Sequence, residues 1–318
     1  MKGTNKGKKN GNYTTGISIR LRKKLEKDSF CKICNSSHKL MIHHLDANHD
    51  NNKWSNLVVL CNQCHNVLHQ RGYNFRKKFW TINFTESFSS IQGEGPEVGT
   101  PVHFFRLFGC NLNCKFCDSD YSKRGNFKIL SYSDIISMCK KWKRKSNIDR
   151  VVITGGEPFT QNIIPLLMIF KLFDYKVDIE TNGTLPLCNG NGPTLRERIY
   201  RKELVDTFNI SPKLKGSQPY CGPGLGQKLI NKNNISQFQK FNYILKFVCE
   251  GEKEFKQVRE IQHRCNVPDK NIWLMPLSTY DEKKDKQIQK DVWEYCVEHK
   301  IKYAHRVHVN VWGKSIGK

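Results

Sequence analysis

Gly109-Cys110-Asn111-Leu112-Asn113-Cys114-Lys115-Phe116-Cys117-Asp118-Ser119 sets three thiols at a C-x₃-C-x₂-C spacing. Three close thiolates can hold three irons of a 4Fe–4S cluster and leave the fourth iron without a protein ligand. An open metal position is where chemistry takes place. Zinc competes poorly here, because a structural zinc site wants four ligands in two pairs. A disulfide triplet needs an oxidising compartment. Three cysteines that merely pack in a row are the plain competing reading.

The flanks carry further motifs in a fixed order. Upstream stand Ser90-Ile91-Gln92-Gly93-Glu94-Gly95 and Phe104-Phe105-Arg106-Leu107-Phe108. Downstream follow Thr154-Gly155-Gly156-Glu157-Pro158, Glu180-Thr181-Asn182-Gly183-Thr184 and Ser211-Pro212-Lys213. The thiol spacing, with aromatic Phe116 before its last cysteine, resembles the radical S-adenosylmethionine superfamily. The whole set, over about residues 81–318, resembles the 7-carboxy-7-deazaguanine synthase family, and S-x-Q-G-E-G is its most specific part.

That resemblance implies a 4Fe–4S cluster on Cys110, Cys114 and Cys117 whose free iron chelates S-adenosylmethionine. It implies that Gly155 and Gly156 leave backbone room for the cofactor, with Glu157 helping to hold the methionine amino group. Ser211 and Lys213 resemble a further cofactor contact. One electron from a reductase or flavodoxin-type donor would cleave the sulfonium and release a deoxyadenosyl radical. The substrate implied is 6-carboxy-5,6,7,8-tetrahydropterin, whose ring contraction and loss of ammonia give 7-carboxy-7-deazaguanine, as in queuosine-type biosynthesis. The radical has to be kept from water. Gln92 and Glu94 would read the donor-rich pyrimidine edge, with Glu180 and Asn182 as further candidates. Arg106 and His308 would meet the substrate carboxylate, although a structural ion pair is the competing reading of Arg106. The family's magnesium would sit on Ser119, where a hydroxyl replaces the usual threonine and still offers oxygen to a hard cation.

The first 80 residues read differently. Cys31-Lys32-Ile33-Cys34 and Cys61-Asn62-Gln63-Cys64 are two C-x₂-C knuckles, the pattern of a Cys₄ structural zinc site. A small polar unit of this size has a marginal core and needs such a staple. Between the knuckles runs Leu40-Met41-Ile42-His43-His44, then Asn56-Leu57-Val58-Val59-Leu60, then His65 and His69. The His-Asn-His order resembles the HNH endonucleases, a ββα fold around one divalent metal. The resemblance makes His44 the base that activates water, Asn56 its orienting partner, and His43 and His65 the metal ligands. A zinc-ribbon DNA binder that no longer cuts is the competing reading.

Composition fits a protein with two tasks. The chain has 318 residues and a net charge of +24. Residues 1–80 hold 16 Lys/Arg against 4 Asp/Glu, half the excess on a quarter of the length. That points to a polyanion partner, most simply DNA, against the alternative of an ordinary solvated surface. No apolar run is long enough to span a bilayer, and the Lys/Gly/Asn-rich start is not a secretory signal, so the reading is cytoplasmic. Homodimerisation is left open.

The predicted organisation is a disordered basic tail (1–18), an HNH-like zinc domain (19–79) and a radical S-adenosylmethionine domain (80–318). A short basic helix is expected over 17–27, and Gln70–Trp80 reads as a basic, aromatic joint. Beyond residue 81, strand and helix signals alternate. Strands are predicted over 100–108, 151–153, 177–180, 205–210, 243–249, 272–275 and 304–311, and helices over 131–145, 163–173, 253–264 and 285–299. Ser133 and Asp134 read as caps of the first of these helices. The fold class is α/β: a partial (β/α) barrel of radical S-adenosylmethionine type, preceded by a zinc-stapled ββα unit. Residues 189–192 and 216–234 read as loops, the second long enough to be a lid. Cys139, Cys188, Cys221, Cys249, Cys265 and Cys296 show no ligand spacing and read as buried thiols.

Overall fold

The computed structural model describes residues 23, 27–46, 48–70, 81–114, 117, 125–187, 203–215, 230 and 232–313. The predicted tail, most of the 17–27 helix, the joint after Gln70, the loop at 189–192, Ser119, Cys188, Cys221 and most of the predicted lid lie outside the described residues.

An antiparallel hairpin comes first, β1 (Leu40–His44) on β2 (Leu57–Cys61), followed by helix α1 (Asn62–Gln70). This is the predicted ββα order. Then come β3 (Thr81–Ile91), β4 (Pro101–Leu107), β5 (Lys128–Ser131), α2 (Tyr132–Lys145), β6 (Arg150–Gly155), α3 (Ile164–Leu172) and β7 (Lys176–Thr181). The chain continues through β8 (Thr207–Ile210), α4 (Lys232–Phe238), β9 (Tyr243–Cys249), α5 (Glu252–Cys265), β10 (Ile272–Pro276), α6 (Glu282–His299), β11 (Lys302–Tyr303) and α7 (Val307–Trp312).

Nine strands form one open sheet in the order β11-β10-β9-β8-β7-β6-β4-β3-β5. From β4 to β11 every neighbouring pair is parallel, and β3 lies antiparallel on β4. The central strands are near-continuous apolar runs, as strands covered on both faces should be. Val151, Val152 and Ile153 of β6 and Leu245 and Phe247 of β9 are fully buried. Below the mouth of the sheet, buried Asp178 accepts two bonds from Arg150 Nη1 (2.8 and 2.7 Å), and Glu97 lies 3.3 Å from Nη2. Burial pushes Asp178 up to about 6 against the pull of Arg150.

The chain divides into two compact units: Met1–Thr81 with Leu130–Asn147 and Ile164–Tyr175, and Ile82–Ile129 with Ile148–Ile163 and Lys176–Lys318. Helices α2 and α3 therefore belong to the first unit. Within it Trp142 stacks against Phe170 at 6.2 Å and meets Tyr175 edge-on, and Lys32 in the first knuckle pairs with Asp174 at 2.5 Å.

Three local expectations change. The cap of α2 is Ser131, not Ser133: Ser131 Oγ accepts from Asp134 N and Asp134 Oδ2 accepts from Ser131 N, a reciprocal capping box. Lys232–Asn234, read as loop, open helix α4. The predicted strand over 304–311 is instead helix α7. Its alternating valines favour a strand, but Val307 N donates to Gly93 O at 3.1 Å and turns the chain, so tertiary contact overrides propensity. The cysteines at 139, 249, 265 and 296 are buried as predicted.

Candidate active site and metal centre

The thiol loop, the Gly-Gly-Glu turn, residues 182–184 and residues 211–213 fall at the carboxyl ends of parallel strands, whereas residues 92–95 leave antiparallel β3 beside the start of β4. The thiol loop leaves β4, and the Gly-Gly-Glu turn leaves β6, its neighbour. Gly156 N donates to Leu107 O at 3.0 Å, and Glu157 N to Gly109 O at 2.8 Å. The two loops are sewn together by backbone. Gly155 has φ +112°, a region closed to other residues, and a Cβ there would strike Leu107 O. A Cβ on Gly156 would strike Gly109 O. Gln161 adds a clamp, accepting from Asn83 N (2.7 Å) and donating to Phe108 O (2.9 Å).

Cys110, Cys114 and Cys117 are half-buried and form no disulfide. Among the described residues only Cys31, Cys34, Cys61 and Cys64 bring all their ligand atoms within 4.8 Å of one another. The three loop thiols are thus not gathered on one point as a single ion requires. A cluster of several irons takes each thiolate on its own iron and does not need that convergence.

Glu157 is fully buried. Its Oε1 accepts from Thr181 Oγ1 (2.7 Å) and Phe159 N (3.1 Å), and its Oε2 from Asn182 N (2.7 Å). Burial pushes its pKa up to about 6 against those donors. In this arrangement Glu157 ties the β6 turn to the end of β7 and reaches nothing outside the protein. The turn after β7 is bound to the thiol loop: Asn182 Nδ2 donates to Asn111 Oδ1 (3.0 Å), and Asn111 Nδ2 to Thr184 Oγ1 (2.8 Å). Ser211 N donates to Thr181 O at 2.7 Å, and Lys213 Nζ to Ser211 Oγ at 3.0 Å.

One row of the sheet carries polar side chains towards the mouth. Register pairs Glu86 with Arg106, Arg106 with Thr154, Glu180 with Asn209, and Asn209 with Ile244. Residues paired in register share a face. Arg106 lies 3.1 Å from Glu86 Oε1 with its guanidinium over Phe88, so the ion-pair reading of Arg106 is the arrangement present. Thr154 Oγ1 and Gln92 Nε2 both donate to Glu180, at 2.7 and 3.3 Å, and Glu94 N donates to Gln92 Oε1 at 3.2 Å. Glu94 is met by Lys246, by Arg306 Nε at 3.3 Å and by His308 Nε2 at 3.8 Å. His308 and Arg306 reach one carboxylate from helix α7 and the residue before it, not from the strand predicted over 304–311. Gln92, Glu94, Glu180 and His308 are thus linked in one set, and Arg106 stands apart with Glu86.

Motif reading missed Lys246, Asn111, Gln161 and Arg306 as site residues. Lys246 had a signal, a lone charge within the apolar strand Tyr243–Cys249. The others had none.

In the first unit the four knuckle thiols converge, Cys34 Sγ lying 3.6 Å from Cys61 Sγ. Lys32 N donates to Val59 O and fixes the first knuckle on β2. Crowding splits the thiol acidities: the hydrogen bond from Cys64 lowers Cys31 to about 4, and the same bond pushes Cys64 far up. A metal cation relieves that competition, and the donor set suits one. His43 is buried with its ring 5.5 Å from that of His65. The partner of His44 is not Asn56. His44 Nε2 lies 3.0 Å from Asn52 Oδ1. Asn56 instead holds the loop, donating to Asp46 Oδ1 and Asn51 O, both at 2.8 Å, because its position just before β2 aims it back across the turn. The side chain of His69 lies outside the described residues.

Thiols on a loop sewn to a Gly-Gly-Glu turn, at the carboxyl ends of parallel strands, define a radical S-adenosylmethionine-type protein, and residues 106–213 match the profile of the Radical SAM superfamily. The 7-carboxy-7-deazaguanine synthase of Aquifex aeolicus is 30% identical over 237 residues, covering 73% of this chain and 94% of that protein. The Halobacterium salinarum protein of the same name is 28% identical over 253 residues, covering 74% and 91%. The crystal structure of QueE from Escherichia coli superposes with a TM-score of 0.53 at 20% identity, over 72% of this chain and 95% of that one, and shows the same fold. The chain belongs to the 7-carboxy-7-deazaguanine synthase family. The superfamily implies a 4Fe–4S cluster and S-adenosylmethionine. No described helix is long and apolar enough to cross a membrane.

Proposed function

We propose that the second unit converts 6-carboxy-5,6,7,8-tetrahydropterin to 7-carboxy-7-deazaguanine, a carbon–nitrogen lyase reaction. The observation that carries this reading is the linked set in which Gln92 and Glu94, just after β3, meet Glu180 of β7 in the sheet that positions the thiol loop. Carboxylates side by side suit a ligand edge rich in N–H donors. Cys110, Cys114 and Cys117 would hold the cluster, with Ser211 and Lys213 beside the cofactor. When bound, cluster and S-adenosylmethionine supply one-electron cleavage and a hydrogen-abstracting carbon. The protein's own part is placement. Gly155 and Gly156 bring the turn against the thiol loop, and Glu157 locks that turn to β7. His308 and Arg306 hold Glu94 from the C-terminal segment. Ser119 is proposed as the magnesium ligand, and the electron comes from a separate reductase or flavodoxin-type protein.

The test is anaerobic turnover of the iron-reconstituted chain with S-adenosylmethionine, reductant, magnesium and the carboxytetrahydropterin. Mass analysis should find 7-carboxy-7-deazaguanine, lost by a factor of ~10³ or more in Cys114→Ala. Deoxyadenosine without that product would leave the superfamily and remove the substrate.

The first unit favours a second reading, an HNH-like nuclease or DNA-binding module held by zinc on Cys31, Cys34, Cys61 and Cys64. Its support is the ββα order with His43 and His65 brought together at one end of the hairpin. Charge agrees: α2 adds Lys140, Lys141, Lys143, Arg144 and Lys145 to this unit, with Asp134 its single acid. In this reading His44 is the base, oriented by Asn52, and His43 and His65 hold a divalent metal. His44→Ala should abolish nicking of a duplex, by a factor of ~10² or more, while binding persists. Unchanged nicking removes His44 from the catalysis.

A further inference from the structure

Lys246 is a cation that no motif announces. It stands in the buried strand β9 and is 5% exposed. Ile244 pairs with Asn209 in the polar row, so Lys246, two residues on, rises from the same face towards the mouth. Its ammonium contacts Glu94 Oε2. Arg306 and His308 approach the other oxygen of that carboxylate. The titratable and charged groups facing Glu94 are thus Lys246 from β9, Arg306 and His308 from the C-terminal segment and, across Gln92, Glu180 from β7.

Burial disfavours an ammonium. Here Glu94, then Glu180, outweigh burial and raise Lys246. Glu94 is the complement: burial would raise it, and Lys246, Arg306 and His308 hold it at about 2. A buried ion pair adds little net stability, since desolvation offsets the attraction. A site that keeps one has another use for it. A carboxylate offers about four lone-pair positions, and Lys246 and Arg306 occupy one each. Nearby, Asn209 Oδ1 is buried without a hydrogen-bond partner among the described residues. Asn209 Oδ1 and the remaining lone pairs of Glu94 are thus acceptors that a donor-rich ligand edge would fill.

We propose that Lys246 is the positioning residue of the substrate site: its ammonium holds the Glu94 side chain, with Gln92 and Glu180 beside it, aimed at the N–H donor edge of a pterin-class substrate. This rests on the reading of Gln92, Glu94 and Glu180 as the substrate-reading set.

The experiment uses the full iron-reconstituted chain. Calorimetry across pH with the carboxytetrahydropterin, without reductant, gives Kd; turnover gives kcat and KM. Lys246→Met should raise Kd and KM by ~30-fold or more and leave kcat within about threefold, because substrate alignment is lost before chemistry. Lys246→Arg should recover affinity to within about tenfold. The sign of the pH effect follows from Glu94. Its depressed pKa keeps the carboxylate charged down to low pH, so the wild-type Kd for the carboxytetrahydropterin should not rise on the acid side above about pH 5. Without Lys246 burial raises that pKa, and the variant's Kd should rise further below about pH 6. Wild-type-like Kd in Lys246→Met, or a loss confined to kcat, overturns the proposal. If Lys246→Met does not fold, Glu94→Gln decides: a matching loss in Kd supports it and an unchanged Kd overturns it. A wild-type chain that binds no pterin would bring down the proposed substrate itself, which is a different result from a variant that binds as well as wild type.

Discussion

Gly156→Val should yield a chain that holds less than about a tenth of the wild-type iron and cleaves S-adenosylmethionine at least ~100-fold more slowly. A Cβ at 156 would strike Gly109 O, the residue before the first thiol. Backbone cannot move aside as a side chain does. The turn must retreat, and with it go the bonds Gly156 N–Leu107 O and Glu157 N–Gly109 O that seat the thiol loop. Overpacking of this kind costs about 3 kcal/mol. The strands beneath are fully buried and should survive, so circular dichroism should stay near wild type while iron content and deoxyadenosine release fall. Full iron loading in Gly156→Val would show that the loop does not depend on the turn.

Cys34→Ala should release the metal of the first unit and unfold its hairpin. Wild-type chain should carry about one tightly held zinc beyond its iron, and the variant none. Metal binding in such small units supplies most of their folding free energy, on the order of 10 kcal/mol. The rest of the hairpin's core is a few side chains, among them Val59, Leu60 and Leu68. Hydrogen exchange should therefore lose protection over β1 and β2 in Cys34→Ala, as in wild type treated with a strong chelator. Persistent protection without metal would mean that packing alone holds the hairpin.

Sequence reading succeeded where chemistry is local. The C-x₂-C pairs announce a four-thiol site because a knuckle is made by four consecutive residues, and the four sulfurs do converge. Helix α2 was legible within one residue, although its cap was misplaced by two, since three nearby side chains could each have served. Asn56 was read as the partner of His44 from its place in a motif, and the loop folds so that Asn52 takes that position. Several asparagines crowd that stretch, and composition does not distinguish them.

What the sequence alone determined is the class of fold, the four-thiol knuckles and the family. Those rest on periodicity and on ligands close together in the chain, where covalent connection sets the distance. Tertiary structure decided the rest. It placed Lys246 on Glu94, 152 residues apart, closed Glu157 against Thr181 and Asn182, and turned the C-terminal segment into a helix under Gly93. Each of these depends on which strands lie side by side and in what register, and burial then fixes charge and partner. Neither register nor burial is carried by the residues nearby.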